Sequence, residues 1–167
     1  MNQTSFAFHA TQHVPGYESE AERRFLLGLS RAGWLQFEPA NDNASSPAVW
    51  LHHRYPTTVL FSQLNLWPLV GLEHIADYCF RRYASPRKSL VVEIDGDAYH
   101  SSPKELARDK RIDRMIQATD GWGVHRYPAR EVLDVRLCDH TVRGIHAHLD
   151  RWHTTPGVVP RVSSARA

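Results

Sequence analysis

Long apolar runs are missing from this chain. No stretch approaches the roughly 20 consecutive apolar residues of a membrane-spanning helix, so no membrane partner is expected. Cysteine is scarce: Cys79 and Cys138 are the only two. Both sit in apolar surroundings, which favours two buried thiols over a disulfide and fits a reducing compartment. A charge excess is also missing, with 20 Lys+Arg against 18 Asp+Glu. The chain therefore lacks the global basic signature of many nucleic-acid binders, and such a partner would have to be held by a local patch. The opening "MNQTSFAFHATQHVPG" has neither the basic start nor the apolar stretch of a secretory signal. A soluble, cytoplasmic protein is the expectation. The 11 histidines invite a zinc reading, but the Cys-x-x-Cys spacing of zinc sites is absent. "LHH" at 51–53 and "HAH" at 146–148 read as exposed histidines.

A length of 167 residues suits one domain with a sizeable core. Residues 1–17 carry no periodicity and read as a flexible N-terminal arm, residues 18–153 as the domain, and the acid-free tail 154–167 as disordered. Within the domain, Ser19 followed by Glu22 is a capping box ahead of the helical stripe Phe25, Leu26 and Leu29, and Gly33 ends that helix. "AVWLHHRY", "TTVLFSQLNLWPLV" and "GLEHIADYCF" read as strands, the last with Ile75, Asp77 and Cys79 on one face. "RRYASPRK" is a basic turn, and "SLVVEID" an apolar strand of the kind buried on both faces. Ser102, Pro103 and Glu105 then open a helix that runs to about Ala118. "GWGVHRY" follows as a strand, "AREVL" as a short helical turn, and 140–152 as a helix with Val142, Ile145, Leu149 and Trp152 on one stripe. Strand, helix, strand suggests a βαβ crossover. The expected class is α/β, a single domain with a central mixed β-sheet flanked by helices.

Acids at the end of a buried strand need a reason. Glu93 and Asp95 are two apart and point to one side of their strand. If the strand of Asp77 pairs with it, Asp77 and Glu93 approach one another, and two close carboxylates repel unless one is protonated or a cation lies between them. Oxygen ligands favour magnesium, manganese or calcium, and a bound divalent cation suits phosphate chemistry. The alternative is that these acids face water or pair with Arg81, Arg82 or Arg126. On the following helix Asp109, Ile112 and Ile116 share a face, with Lys104, Arg108, Arg111 and Arg114 on the broad opposite side. A basic helix face beside an acidic strand end offers cations for phosphates next to carboxylates for a metal. A solvated charged helix gives the same pattern.

In order along the chain stand Ser19 and Glu22, Gln63, Asp77-Tyr78, Glu93 to His100, Asp109 with Arg111, and Gly121 to Arg126. This series resembles the PD-(D/E)XK nuclease superfamily, and within it the very-short-patch-repair-like endonucleases and the DUF559 group, over roughly residues 17–135. The resemblance implies a restriction-endonuclease-like domain. It implies Mg2+ (or Mn2+) bound by Asp77, Glu93 and the Ile94 carbonyl, with Gln63 and Glu22 around the same pocket. It further implies His100 near the scissile phosphate as base, acid or phosphate contact, and Arg126 as an anchor from the next strand. Lys104, Arg108, Arg111, Arg114 and Arg126 would contact DNA. Asp95 stands where the superfamily has a lysine, so the task of orienting water passes to Gln63 or His100. The implied function is a metal-dependent endonuclease hydrolysing DNA phosphodiester bonds in repair, phage defence or mobile-element processing. The alternative is a catalytically inactive nucleic-acid-binding or complex-forming module on the same fold. Either is compatible with a homodimer or a partner protein.

Overall fold

The structure, a computed structural model, describes residues 19–37, 48–71, 73–96 and 102–154. Ser19 starts α1 (Glu20–Arg31): its hydroxyl accepts from the Glu22 N–H at 3.2 Å and donates to the Glu22 carboxylate at 2.8 Å. Phe25, Leu26 and Leu29 bury the expected stripe, and Gly33 leaves the helix at φ +99°, a conformation that glycine adopts without strain.

Five strands follow as an antiparallel meander: β1 (Leu35–Phe37), β2 (Ala48–Leu51), β3 (Thr58–Asn65), β4 (Ile75–Arg82) and β5 (Lys88–Asp95). Helix α3 (Pro103–Gln117) then carries the chain to β6 (Trp122–Pro128), which lies parallel to β5 at the sheet edge. The α/β class and the mixed, helix-flanked sheet are as expected, and β5, α3 and β6 form the βαβ unit. Gly121 makes the entry to β6 possible. At φ +74° its missing Cβ would lie 2.6 Å from the Arg87 carbonyl oxygen, where no side chain fits.

The sheet sorts its side chains by the period of two. Leu60, Tyr78, Phe80, Leu90, Val92 and Ile94 pack against α1, α4 (Ala129–Leu133) and α5 (Val135–Thr154). Cys79 and Val91 pack on the other side against Ile112 and Ile116 of α3. Both cysteines are free and buried. No helix among the described residues is long and apolar enough to cross a membrane.

Two local expectations are corrected. The apolar run after Asn65 does not stay extended: Trp67–Val70 forms a one-turn helix, α2, with Pro68 in its first turn and Gly71 at φ +68° closing it. Trp67 is 60 % exposed. Helix α5 begins five residues earlier than the apolar stripe indicated, because the Asp134 carboxylate accepts from the Arg136 and Leu137 N–H groups and caps it.

The histidines are corrected too. His52 is 5 % exposed, and His146 and His148 are half-buried. His52 Nδ1 accepts from the Arg54 N–H at 3.0 Å while Nε2 lies 2.9 Å from the Ala32 carbonyl oxygen. Trp34 Nε1 donates to His146 Nε2 at 3.1 Å. One ring nitrogen accepts in each, so both imidazoles are neutral in this arrangement. Burial lowers the pKa of His52 and pushes His146 and His148 down to about 4. His52 and His146 pack α5 to the β2–β3 corner, and His148 packs against His125 of β6. His53 is exposed, as expected, and the other three rings are not a solvated fringe.

Candidate active site

Register brings the acids together. Tyr78 pairs with Val92, and the antiparallel register continued by one residue sets Asp77 across from Glu93. On β3, the pairs Ser62–Tyr78 and Leu64–Ala76 flank Gln63 and Asp77. On β6, Arg126 is the partner of Glu93. Gln63, Asp77, Glu93 and Arg126 therefore form one row across four adjacent strands. Gln63 has φ +54°, the one non-glycine residue with positive φ among those described. Strain of this kind costs about 1–3 kcal/mol and clusters at functional sites. It interrupts the β3–β4 ladder at the row itself, and the Gln63 amide donates to the Glu22 carboxylate at 3.0 Å. Glu22 is buried, and its own backbone carbonyl accepts from the Tyr78 hydroxyl at 2.7 Å. Glu22 and Gln63 thus lie beside the acids, as expected.

Asp77 and Glu93 each have one oxygen held. The Ile94 N–H donates to Asp77 Oδ2 at 2.7 Å. His74 Nε2 lies 2.8 Å from Glu93 Oε1. Among the described residues no donor meets the second oxygen of either carboxylate. Burial, and then the neighbouring Glu93, push the Asp77 carboxyl up to about 8; the Ile94 N–H opposes this only in part. In the absence of a cation the pair keeps a proton near neutral pH.

The donor set fits a hard divalent cation. Magnesium keeps several waters and takes one or two carboxylates from the protein, and Asp77 and Glu93 supply two. A pair that holds a proton for want of positive charge is a pair that a cation can serve. Among the described residues no three His, Cys, Asp or Glu side chains are arranged to hold a metal ion together. A third protein ligand would have to be the Ile94 backbone carbonyl.

The Arg126 guanidinium is ion-paired inside the protein. Nη1 donates to Asp95 at 2.8 Å and Nε to Asp113 on α3 at 3.0 Å, with the side chain 20 % exposed. Its Nη2 is buried and has no partner among the described residues. Asp95 is thereby neutralised by an arginine from the next strand. The partner of Arg126 on α3 is Asp113, one turn beyond Asp109. Glu93 makes no ion pair with Arg81, Arg82 or Arg126, although, against the effect of burial, its charge and those of Asp95 and Asp113 raise the pKa of Arg126. Arg81 lies over the Tyr83 and Trp122 rings, and Arg82 donates to the Trp152 carbonyl.

Lys104, Arg108, Arg111 and Arg114 are all exposed on α3, away from Ile112 and Ile116. A depression of about 480 Å3 lined by Ala107, Lys110, Asp113, Arg114 and Gln117 opens on this surface. Asp113 links it to Arg126 and the acid row. His100 lies outside the described residues.

Sequence reasoning missed His74 and Asp113. His74 precedes β4 by one residue and Asp77 by three, an odd offset that strand alternation assigns to the opposite face. A histidine close in sequence to a buried acid was its only signal. Comparison of the chain with family models, with curated proteins and with solved structures finds no match in any of the three.

Proposed function

We propose that this protein is a metal-dependent endonuclease that hydrolyses DNA phosphodiester bonds, as its resemblance to the PD-(D/E)XK superfamily implies. The observation that carries the reading is the facing pair Asp77 and Glu93, half-buried and buried at one level of the sheet, each with one oxygen held and one without a donor. These two carboxylates and the Ile94 carbonyl would hold Mg2+ or Mn2+. When bound, the cation supplies charge to a phosphoryl oxygen and lowers the pKa of a water. The Ile94 N–H orients Asp77, and Gln63 keeps Glu22 beside the pair. Asp95, though an acid where a cation is usual in the superfamily, brings one with it, because it fixes Arg126 at the row. His100 is assigned the proton transfer at the scissile phosphate. The exposed Lys104, Arg108, Arg111 and Arg114 hold the DNA backbone as point charges. A cytoplasmic location belongs to this reading, as does action alone, as a homodimer or with a partner protein.

A second reading keeps the fold and the basic face but not the reaction: a nucleic-acid-binding or complex-forming module. It is favoured by Arg126 being engaged on two sides by Asp95 and Asp113.

Both readings place phosphates on α3, and salt tests that surface. Binding to duplex DNA should weaken steeply with salt, since each phosphate contact contributes about −0.9 to the log–log slope. Arg111→Glu with Arg114→Glu should make the slope shallower by about 2 and weaken unrelated duplexes alike. Fluorescence anisotropy over a salt series measures it. Binding that ignores salt, or no binding at low salt, removes the basic face from the account.

A further inference from the structure

Asp77 and Glu93 are oriented by different means. Asp77 is held by a backbone N–H within the sheet, which no side-chain substitution removes. Glu93 is held by a side chain from outside it. His74 Nε2 lies 2.8 Å from Glu93 Oε1, with the imidazole 19 % and the carboxylate 6 % exposed. Toward an ionised carboxylate, which only accepts, Nε2 is the donor of this bond. No other donor among the described residues meets Glu93.

The imidazole has a fixed base. The His74 carbonyl accepts from the Leu66 N–H at 2.9 Å, closing the turn that contains α2. Leu66 is fully buried against Ala76 and Cys79, and Asn65 Oδ1 accepts from the Trp67 N–H at 2.9 Å. The segment between β3 and β4 is thereby anchored at both ends, and it delivers His74 over the end of β4 onto the acid of β5. A histidine serving only to fill space there would need no donor aimed at a buried carboxylate.

We infer that His74 is a positioning residue: its Nε2–H holds Glu93 Oε1 so that Oε2 faces the position between Glu93 and Asp77 where a divalent cation would sit. The inference rests on the nuclease reading above and adds to it a residue outside the resemblance. Outer partners of this kind typically change metal affinity or activity by about 10–100-fold when removed.

The test uses the full chain as wild type, His74→Ala and His74→Gln, with far-UV circular dichroism to establish folding. Two readouts are taken: the manganese concentration at half-maximal thermal shift, and steady-state plasmid cleavage with kcat and KM separated. His74→Ala should raise the manganese midpoint and lower kcat, each by about 10–100-fold, with KM for DNA unchanged. His74→Gln should recover most of both, because its amide Nε2–H reaches the same oxygen. Equal loss in the alanine and glutamine variants, or wild-type values in the alanine variant, overturns the inference while leaving the nuclease reading standing. A wild type that neither responds to manganese nor cleaves overturns the reading and the inference together.

Discussion

Asp77→Asn is expected to stabilise the cation-free protein at pH 8 and at the same time to remove its cleavage activity. The sign follows from linkage. Burial and the neighbouring Glu93 raise the Asp77 carboxyl from its ordinary 3.8 to about 8. Between those values the folded protein binds a proton that the unfolded chain has released, so stability falls as pH rises through this window. Asparagine has no proton to lose, and its Oδ1 can still accept from the Ile94 N–H. The variant should therefore melt higher than wild type at pH 8, by at least about 4 °C, where roughly 2–4 °C corresponds to 1 kcal/mol in a chain of this size. The gap should close toward pH 4. Manganese should raise the wild-type melting temperature by binding the folded state preferentially, and the variant should lose that response. Cleavage should fall at least about a thousandfold, beyond the 10–100-fold typical of an outer partner. Differential scanning fluorimetry across pH, with and without manganese, measures the first two effects. A variant that melts lower than wild type at pH 8 and keeps its manganese response would remove Asp77 from the site.

Acidification should act through the histidines. Burial lowers His52, His125 and His153 and pushes His146 and His148 down to about 4, against an ordinary 6.5. Here the unfolded chain takes the proton first. Stability is present above about 6.5 and is lost as pH falls toward 4. The positive neighbours add to this: His52 faces His146, His53 and Arg54, and His148 faces His125, Arg151 and Lys88. Asp150 favours protonation of His146 and His153, and it is shared with the Tyr55 hydroxyl and Arg54. Protonating His146 Nε2 also deprives Trp34 Nε1–H of its acceptor inside the core. The melting temperature should drop by at least about 5 °C between pH 7 and pH 4.5, with a change in tryptophan fluorescence on the same curve. His146→Gln, whose amide oxygen can still accept from Trp34, should flatten that limb. Asp77 works against the histidines over this range, so the drop should be larger in Asp77→Asn. A flat profile to pH 4.5 would mean that these rings are not held neutral by the packing of α5.

Much of this was legible because local chemistry and tertiary context agree. Ser19 and Glu22, Ser102 and Glu105, and the stripe from Val142 to Trp152 give each helix its end or its face without reference to anything distant. The apolar run into Glu93 could only be a central strand, and the period of two then put Asp77 and Glu93 in reach of each other. What was not legible depends on distant contacts. Trp67–Val70 is apolar enough for a strand, and it is the end of β3 at Asn65 that turns it into a helix. Nothing in "LHH" or "HAH" says that α5 will lie on the β2–β3 corner and bring His52 and His146 together there. Asp109 and Asp113 are one helical turn apart on the same side of α3, and the level at which a helix crosses a sheet decides which of them meets Arg126. His74 reaches Glu93 from a turn, where side-chain direction has no period to follow.

Plasmid cleavage is the most direct measurement. Supercoiled DNA is incubated with wild type and with Glu93→Ala, in magnesium, in manganese and with excess chelator, and nicked and linear products are followed in time. Wild type should nick or linearise the plasmid with either cation and stop on chelation, and Glu93→Ala should do neither while still binding DNA in a salt-dependent manner. Cleavage that persists in Glu93→Ala or in chelator would contradict the assignment of the site, and a wild type that binds DNA but never cuts it would leave the binding module in its place.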